Sequence, residues 1–267
     1  MKLIIKIRDL IRWCVRSLCA DFLEDISRIQ QFNLSTYVMH QKAFPQFKNK
    51  HNGKDVVVVA CGPTAKDYQP IKDAIHIGVN RAIHLPQVTL DYLFVMDAYD
   101  KRKSSQMSDY NDYRPGKCTK FYGISGDFLD NQLYVPSESD TIKSNAIRFR
   151  TDNLIGLRIT NNGRFLYDIS TQPLTDCGSV IFSALQFALW TNPRRLYLVG
   201  CDCTATGHFN SSGDKTGLPP TLQKSYANLK DFAIAYYPDT EIISVNPVGL
   251  KGLFKDWNQK DGEPMPE

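Results

Sequence analysis

The chain has 267 residues and a formal net charge of +4. That is room for one α/β domain with a large core or at most two small ones, and too little charge to argue for a nucleic-acid partner. Seven cysteines, an odd number at irregular spacing, argue against a disulfide framework and fit a reducing, cytoplasmic compartment.

Lys2, Lys6, Arg8, Arg12 and Arg16 against Asp9 give residues 1–20 a net +4, equal to that of the whole chain. The body beyond is close to neutral. The recurring charges leave no uninterrupted apolar run for a signal peptide, and they make the segment too polar to span a bilayer. On a helix, Leu3, Ile7, Leu10, Cys14 and Leu18 share one stripe, and Lys2, Asp9, Arg12 and Arg16 lie largely away from it. Such a helix suits an anionic membrane surface, here the inner face of the cytoplasmic membrane, or equally the protein body or a second copy in a homo-oligomer. Residues 21–50 read as further helix and a connector. Residues 1–50 thus precede a single α/β domain over 51–267.

From Asp55 the pattern changes. "DVVVVA" (55–60) is an apolar, β-branched run of the kind a central parallel strand needs. "AIHIGVN" (74–80) and "DYLFVMD" (91–97) are the next strands, and "KFYGI" (120–124) is a candidate fourth. Residues 98–175 are polar and poorly periodic, which predicts a lid or insertion. Residues 178–190 are apolar nearly all round and predict a buried helix. "RRLYLVGCD" (194–202) reads as another central strand, residues 221–238 as an amphipathic helix, and "EIISVN" (241–246) as a strand. The order predicts an α/β fold: a Rossmann-like, mostly parallel sheet flanked by helices. Ligands of such sheets bind beyond the carboxyl ends of the strands.

That rule selects the strand tips. "ACGPT" lacks the glycines and lysine of a phosphate loop and those of a dinucleotide fingerprint. What remains is a tight turn in which Gly62 permits close backbone approach, Pro63 fixes φ, and Thr64 caps the next turn or donates to a phosphate. A plain βα turn explains the same residues. Asn80 and Arg81 end the second strand, where an asparagine offers both donor and acceptor. Asp97 ends the third. Cys201 and Cys203 form a C-x-C without a second pair, short of a zinc site, and no metal is assigned.

"VVVVACGPT", "IGVNRA", "LDYLFVMD" and "CGSVIFSALQFALWTNPRRLYLVGCDCTATGHF", in this order over residues 54–255, resemble the bacterial sialyltransferases of glycosyltransferase family 42. They also resemble the wider set of proteins similar to 6-hydroxymethylpterin diphosphokinase. The resemblance implies a GT-A-variant fold, a CMP-sugar donor and a glycan acceptor. "DAYD" (97–100) is not the D-x-D metal motif of many nucleotide-sugar enzymes, so no metal cofactor is expected, and the basic helix of residues 1–20 fits a lipid-linked glycan as acceptor. In that family the loop after the first strand cradles CMP, which points to Cys61, Gly62, Pro63 and Thr64. The asparagine after the second strand matches Asn80, and Asp97 stands where the family has another asparagine. The family's donor-contacting T-S-G corresponds to Asp176 to Ser179, so Gly178 and Ser179 join the set, as do Asp202 and Thr204 after the "GCD" strand.

Three departures matter. Cys61 replaces an asparagine. Thr204, Thr206 and His208 stand where the family has phosphate-binding tyrosines. No histidine precedes the helix at 221, where Lys224 and Tyr226 are the nearest titratable residues. His208 and Lys224 are therefore the candidate bases; an imidazole changes charge near neutral pH and suits proton transfer. The expected activity is inverting transfer of a CMP-activated acidic sugar such as sialic acid to a glycan. Two alternatives stay open: a pterin-type diphosphokinase using ATP–Mg²⁺, with Asp97, Asp100 and Asp202 as carboxylates, and a non-catalytic nucleotide-binding protein.

Overall fold

In a computed structural model of the chain, the basic segment and its connector form one helix, α1 (Lys2–Ala43), 42 residues long. At 1.5 Å per residue it spans about 63 Å. The structure describes residues 2–96, 105–127, 132–134, 137–155, 164–204, 207–209 and 221–266. The elements that follow are β1 (Asp55–Val59), β2 (Ile75–Val79), β3 (Tyr92–Val95), α2 (Ser105–Asp112), β4 (Thr119–Asp127), β5 (Gln132–Tyr134), α3 (Glu138–Ser144) and β6 (Ile147–Ile155). Then come α4 (Val180–Trp190), β7 (Arg195–Val199), α5 (Thr221–Tyr236), β8 (Glu241–Val245) and β9 (Lys255–Trp257).

The nine strands make one sheet in the order β5-β4-β3-β2-β1-β7-β8-β9, with β6 beside β4. All pairings are parallel except β4 with β5. This is the α/β class that the strand and helix alternation predicts. β1 lies at the centre because its valines are apolar on both faces. Val56 and Val58 pack on one side with Ile77, Phe94, Leu196 and α4. Val57 and Val59 pack on the other with Leu93, Val95, Tyr197 and Tyr68. Every residue of α4 is buried, which explains a helix apolar all round.

Chain order reverses between β1, whose successor is β2, and β7, which lies on its other side. A crevice opens at such a switch point.

Two expectations change. The stretch 98–175 supplies β4, β5 and β6 to the sheet, rather than only an insertion over it. The turn after β1 yields only a 3₁₀ turn, Pro63–Asp67, because Pro63 and Pro70 bracket a connection too short for a helix. A similar turn, Asn80–His84, follows β2.

The last turns of α1 are clamped to the body. His40 Nε2 accepts the Arg150 N–H (3.0 Å), so Nδ1 carries the proton. It donates to the carbonyls of Ile169 (2.9 Å) and Gln172 (2.8 Å). Phe44 and Phe47 continue from there into the aromatic core around Phe121 and Phe187.

Candidate functional site at the carboxyl edge of the sheet

A cavity of about 100 Å³ sits at the switch point. The tips of β1 and β7 form its floor through Cys61, Gly62, Gly200 and Asp202. Asn80 from the tip of β2, Ser179 to Ile181 from the start of α4, and Leu222 and Tyr226 from α5 complete the walls with Cys201, Cys203, Thr204 and His208. Seven sequence-selected residues therefore meet at one cavity: Cys61, Gly62, Asn80, Ser179, Asp202, Thr204 and His208. Pro63, Thr64, Arg81, Gly178 and Lys224 do not line it. Asp97 and Asp100 lie outside the described residues. The volume seats a phosphate or part of a sugar ring, whereas pockets for larger ligands run to roughly 300–1,000 Å³.

The β1 loop holds an anion, and that anion belongs to the chain itself. The Thr64 hydroxyl donates to Asp202 Oδ1, and the Thr64 N–H donates to Oδ2 (2.9 Å). The Gly62 N–H goes to the Gly200 carbonyl (2.9 Å), and the Ala65 N–H returns to that of Gly62 (3.0 Å). Thr64 is thus committed to Asp202, which corrects the expectation that it donates to a phosphate. Glycine at 62 also serves the chain rather than a ligand. A Cβ there would stand 2.4 Å from the Gly200 oxygen and 2.6 Å from Asp202 Oδ2. Burial raises the Asp202 pKa against the two Thr64 bonds, which lower it.

The start of α4 is different. Cys177 and Gly178 take positive φ, 47° and 78°, a left-handed turn for which glycine is suited. This turn delivers Ser179 as the N-cap, and its side chain makes no capping hydrogen bond. The Ser179 N–H is held by the Asp176 carbonyl (2.8 Å). The Asp176 N–H is held by Asp152 Oδ1 (2.9 Å). Burial pushes the Asp152 carboxyl up to about 6. Val180 and Ile181 line the cavity from the first turn, where a helix presents unsatisfied N–H groups and a partial positive charge.

The remaining wall is polar but uncharged. Burial raises the thiols of Cys61 and Cys203 to about 12. It also raises Cys201 and Tyr226, whose side chains share a hydrogen bond. Cys61 Sγ donates to the Val79 carbonyl (3.3 Å). At neutral pH these groups stay protonated, so Tyr226 is a neutral hydroxyl rather than a base. Asn80, at φ 43°, accepts the Met96 N–H on Oδ1 (3.0 Å) and ties β2 to the end of β3. The Phe209 N–H to the Cys61 carbonyl (2.8 Å) pins the segment that carries His208 over the first loop.

Lys224, although only two residues from Tyr226, is exposed on α5 and faces away from the cavity. The helical step of 100° separates them: Leu222, Tyr226 and Leu229 form the inner stripe, and Lys224 falls outside it. That corrects its candidacy as a base. Tyr226, Cys201 and Cys203 are the hydroxyl and thiol lining residues to which sequence reasoning assigned no role. Their only sequence signals are an inward helix spacing and a C-x-C at a strand tip, both ordinary core patterns. Among the described residues, no group of three or more His, Cys, Asp or Glu side chains is placed to hold a metal. No described helix is long and apolar enough to cross a membrane.

No protein-family model matches the chain, and no curated protein matches its sequence. Solved structures similar to it include the Campylobacter jejuni sialyltransferase CstII with the substrate analogue CMP-3FNeuAc. That structure is 11% identical with a TM-score of 0.42, over 76% of this chain and 85% of that one. The same enzyme with cytidine-5'-monophosphate is 12% identical, TM-score 0.40, over 72% and 80%. With a trisaccharide acceptor and CMP it is 12% identical, TM-score 0.41, over 80% and 89%.

Proposed function

We propose that the chain is a glycosyltransferase that uses a nucleotide-activated sugar, with a CMP-linked acidic sugar as donor and a glycan as acceptor. The observation that carries this reading is the convergence of Asn80, Ser179, Thr204 and His208 on one cavity at the β1/β7 switch point. An uncapped helix start opens into that cavity. The donor phosphate sits against the first turn of α4, with the Ser179 and Thr204 hydroxyls beside it. Well-placed donors of this kind contribute about 3 kcal/mol each to a departing phosphate. His208 takes the proton of the acceptor hydroxyl as the new C–O bond forms at the anomeric carbon, opposite the breaking bond to phosphate. The result is inversion. The reaction needs no resident metal. A glycan carried on a membrane lipid is the acceptor class that the basic start of α1 suits.

The diphosphokinase alternative needs carboxylates for magnesium. Asp202 is already held by Thr64, which favours the glycosyl reading. Calorimetry separates the two: CMP is expected to bind without added metal, and His208→Ala is expected to keep CMP binding while losing transfer. Tight ATP–Mg²⁺ binding with no CMP binding reverses the order. CMP binding without turnover across a mass-spectrometric screen of nucleotide sugars leaves a nucleotide-binding protein.

A further inference from the structure

Among the described residues of α1, those that the body buries lie near its end. Thr36, His40 and Ala43 are buried, whereas Ile7, Leu10, Ile11, Trp13, Val15 and Leu23 are 49–68% exposed. At 100° per residue, Leu3, Ile7, Leu10, Ile11 and Leu18 fall on the same face that Thr36, His40 and Ala43 turn to the sheet further along. The helix thus runs past the body with its core-facing stripe bare. Lys2, Lys6, Arg12 and Arg16 fall on the opposite half, with Arg8 at its border.

We propose that residues 1–20 of α1 lie on the surface of an anionic bilayer, apolar stripe inward. Three observations choose this occupant. No described helix can cross a membrane, so the segment lies on the surface or meets protein. A parallel second α1 would follow the stripe into Phe22, Ile29 and Phe32, but it would set two +4 segments side by side, like charge against like. An antiparallel partner meets Asp21, Asp25 and Arg28 on the same face. Finally, the +4 of residues 1–20 ends where Asp21, Glu24 and Asp25 begin. Cationic charge opposite an apolar face over this length is the pattern of an interfacial helix drawn to anionic lipid.

The test uses the full chain and vesicles of phosphatidylglycerol with phosphatidylcholine, read by co-sedimentation. Retention on the anionic vesicles is expected, with at least a tenfold loss in high salt or on pure phosphatidylcholine. Ile7→Asp with Ile11→Asp removes the stripe and is expected to abolish retention. Arg12→Glu with Arg16→Glu is expected to weaken it roughly tenfold or more. Circular dichroism and CMP titration of both variants should match the parent chain, which separates this proposal from the catalytic one. Absence of retention on anionic vesicles overturns the proposal. So does equal retention on neutral ones, or a solution dimer that Ile7→Asp with Ile11→Asp dissolves.

Discussion

The two loops that face each other across the cavity are built alike from a strand or turn, a glycine and a hydroxyl residue, yet they differ in what their donors do. After β1, the N–H groups of Gly62, Thr64 and Ala65 and the Thr64 hydroxyl all have partners within the chain. At the start of α4, Ser179 makes no capping bond and the first turn opens into the cavity. The difference teaches where an anionic ligand gains most. A donor already paired with a buried carboxylate offers a ligand little, because a new bond must replace an old one. An uncapped helix start has unsatisfied donors to give.

The sharpest way to break the contrast is steric. In Gly62→Ala the new methyl meets backbone oxygen at 2.4 Å, and neither tip can retreat without parting β1 from β7. A loss of about 3 kcal/mol in denaturant unfolding is expected. Gly178→Ala meets nothing within 4 Å and bears only the left-handed φ, a cost of about 1 kcal/mol. Equal losses in the two variants would remove the claim that Gly62 exists for strand-tip packing.

Acid acts on the α4 side. His40 clamps residues 169–172, which lead to Asp176 and α4, and burial lowers its pKa from 6.5 to about 4. Its neutral form is the one the fold holds. Its contribution is therefore complete above the unfolded value of 6.5 and lost as pH falls from there through about 4. The shift corresponds to a loss on the order of 3 kcal/mol. Asp152 has the opposite sign. Its folded pKa is raised to about 6, so it favours the fold below its unfolded value and loses that contribution as pH rises through 6. Comparing the parent chain with His40→Gln isolates the histidine. The parent's advantage at neutral pH should shrink between pH 6.5 and 4, and a pH-independent difference would refute the clamp.

The parts of the fold that could be read from sequence were those with simple burial. β1, β3 and β7 are mostly apolar on both faces, β2 and β8 are buried runs interrupted by His76 and Ser244, and α4 is buried all round, so their composition announces them. β4 shows in the sequence only as the candidate "KFYGI" (120–124) and β6 not at all, because their polar residues are buried by specific partners rather than excluded. Lys120 is buried in β4 with Nζ on the Asn111 carbonyl (2.6 Å). In β6 the Arg150 guanidinium stacks 4.9 Å from the Phe32 ring. No periodicity rule sees such partners, one in the preceding helix α2 and the other in α1. The site divides the same way. Strand-tip logic finds backbone positions such as Gly62, Asn80 and Ser179, but the pairing of Thr64 with Asp202 spans 138 residues. Only coordinates show that the loop's anion is internal.

That pairing sets the next prediction. Asp202→Ala leaves the Thr64 N–H and hydroxyl without their acceptor beside a buried tip. A loss of about 2 kcal/mol is expected, with CMP affinity falling only as far as the β1 tip loosens. Thr64→Val removes one bond and should cost less, about 1 kcal/mol. If Thr64→Val abolished CMP binding while leaving stability intact, the threonine would belong to the ligand after all.

The smallest expected effect in energy is the most discriminating in sign. Ser179→Asp places a carboxylate at the N-cap of α4, where a cap bond and the helix dipole both favour it. Stability should rise by about 0.5 kcal/mol. The same charge stands where the donor phosphate is proposed to sit, and CMP affinity should fall roughly tenfold, like charge now meeting like. Thermal unfolding and CMP calorimetry should therefore move in opposite directions in one variant. A defective fold would lower both, and an anion seated instead at the β1 loop would leave CMP affinity unchanged, so only the α4 start predicts the split.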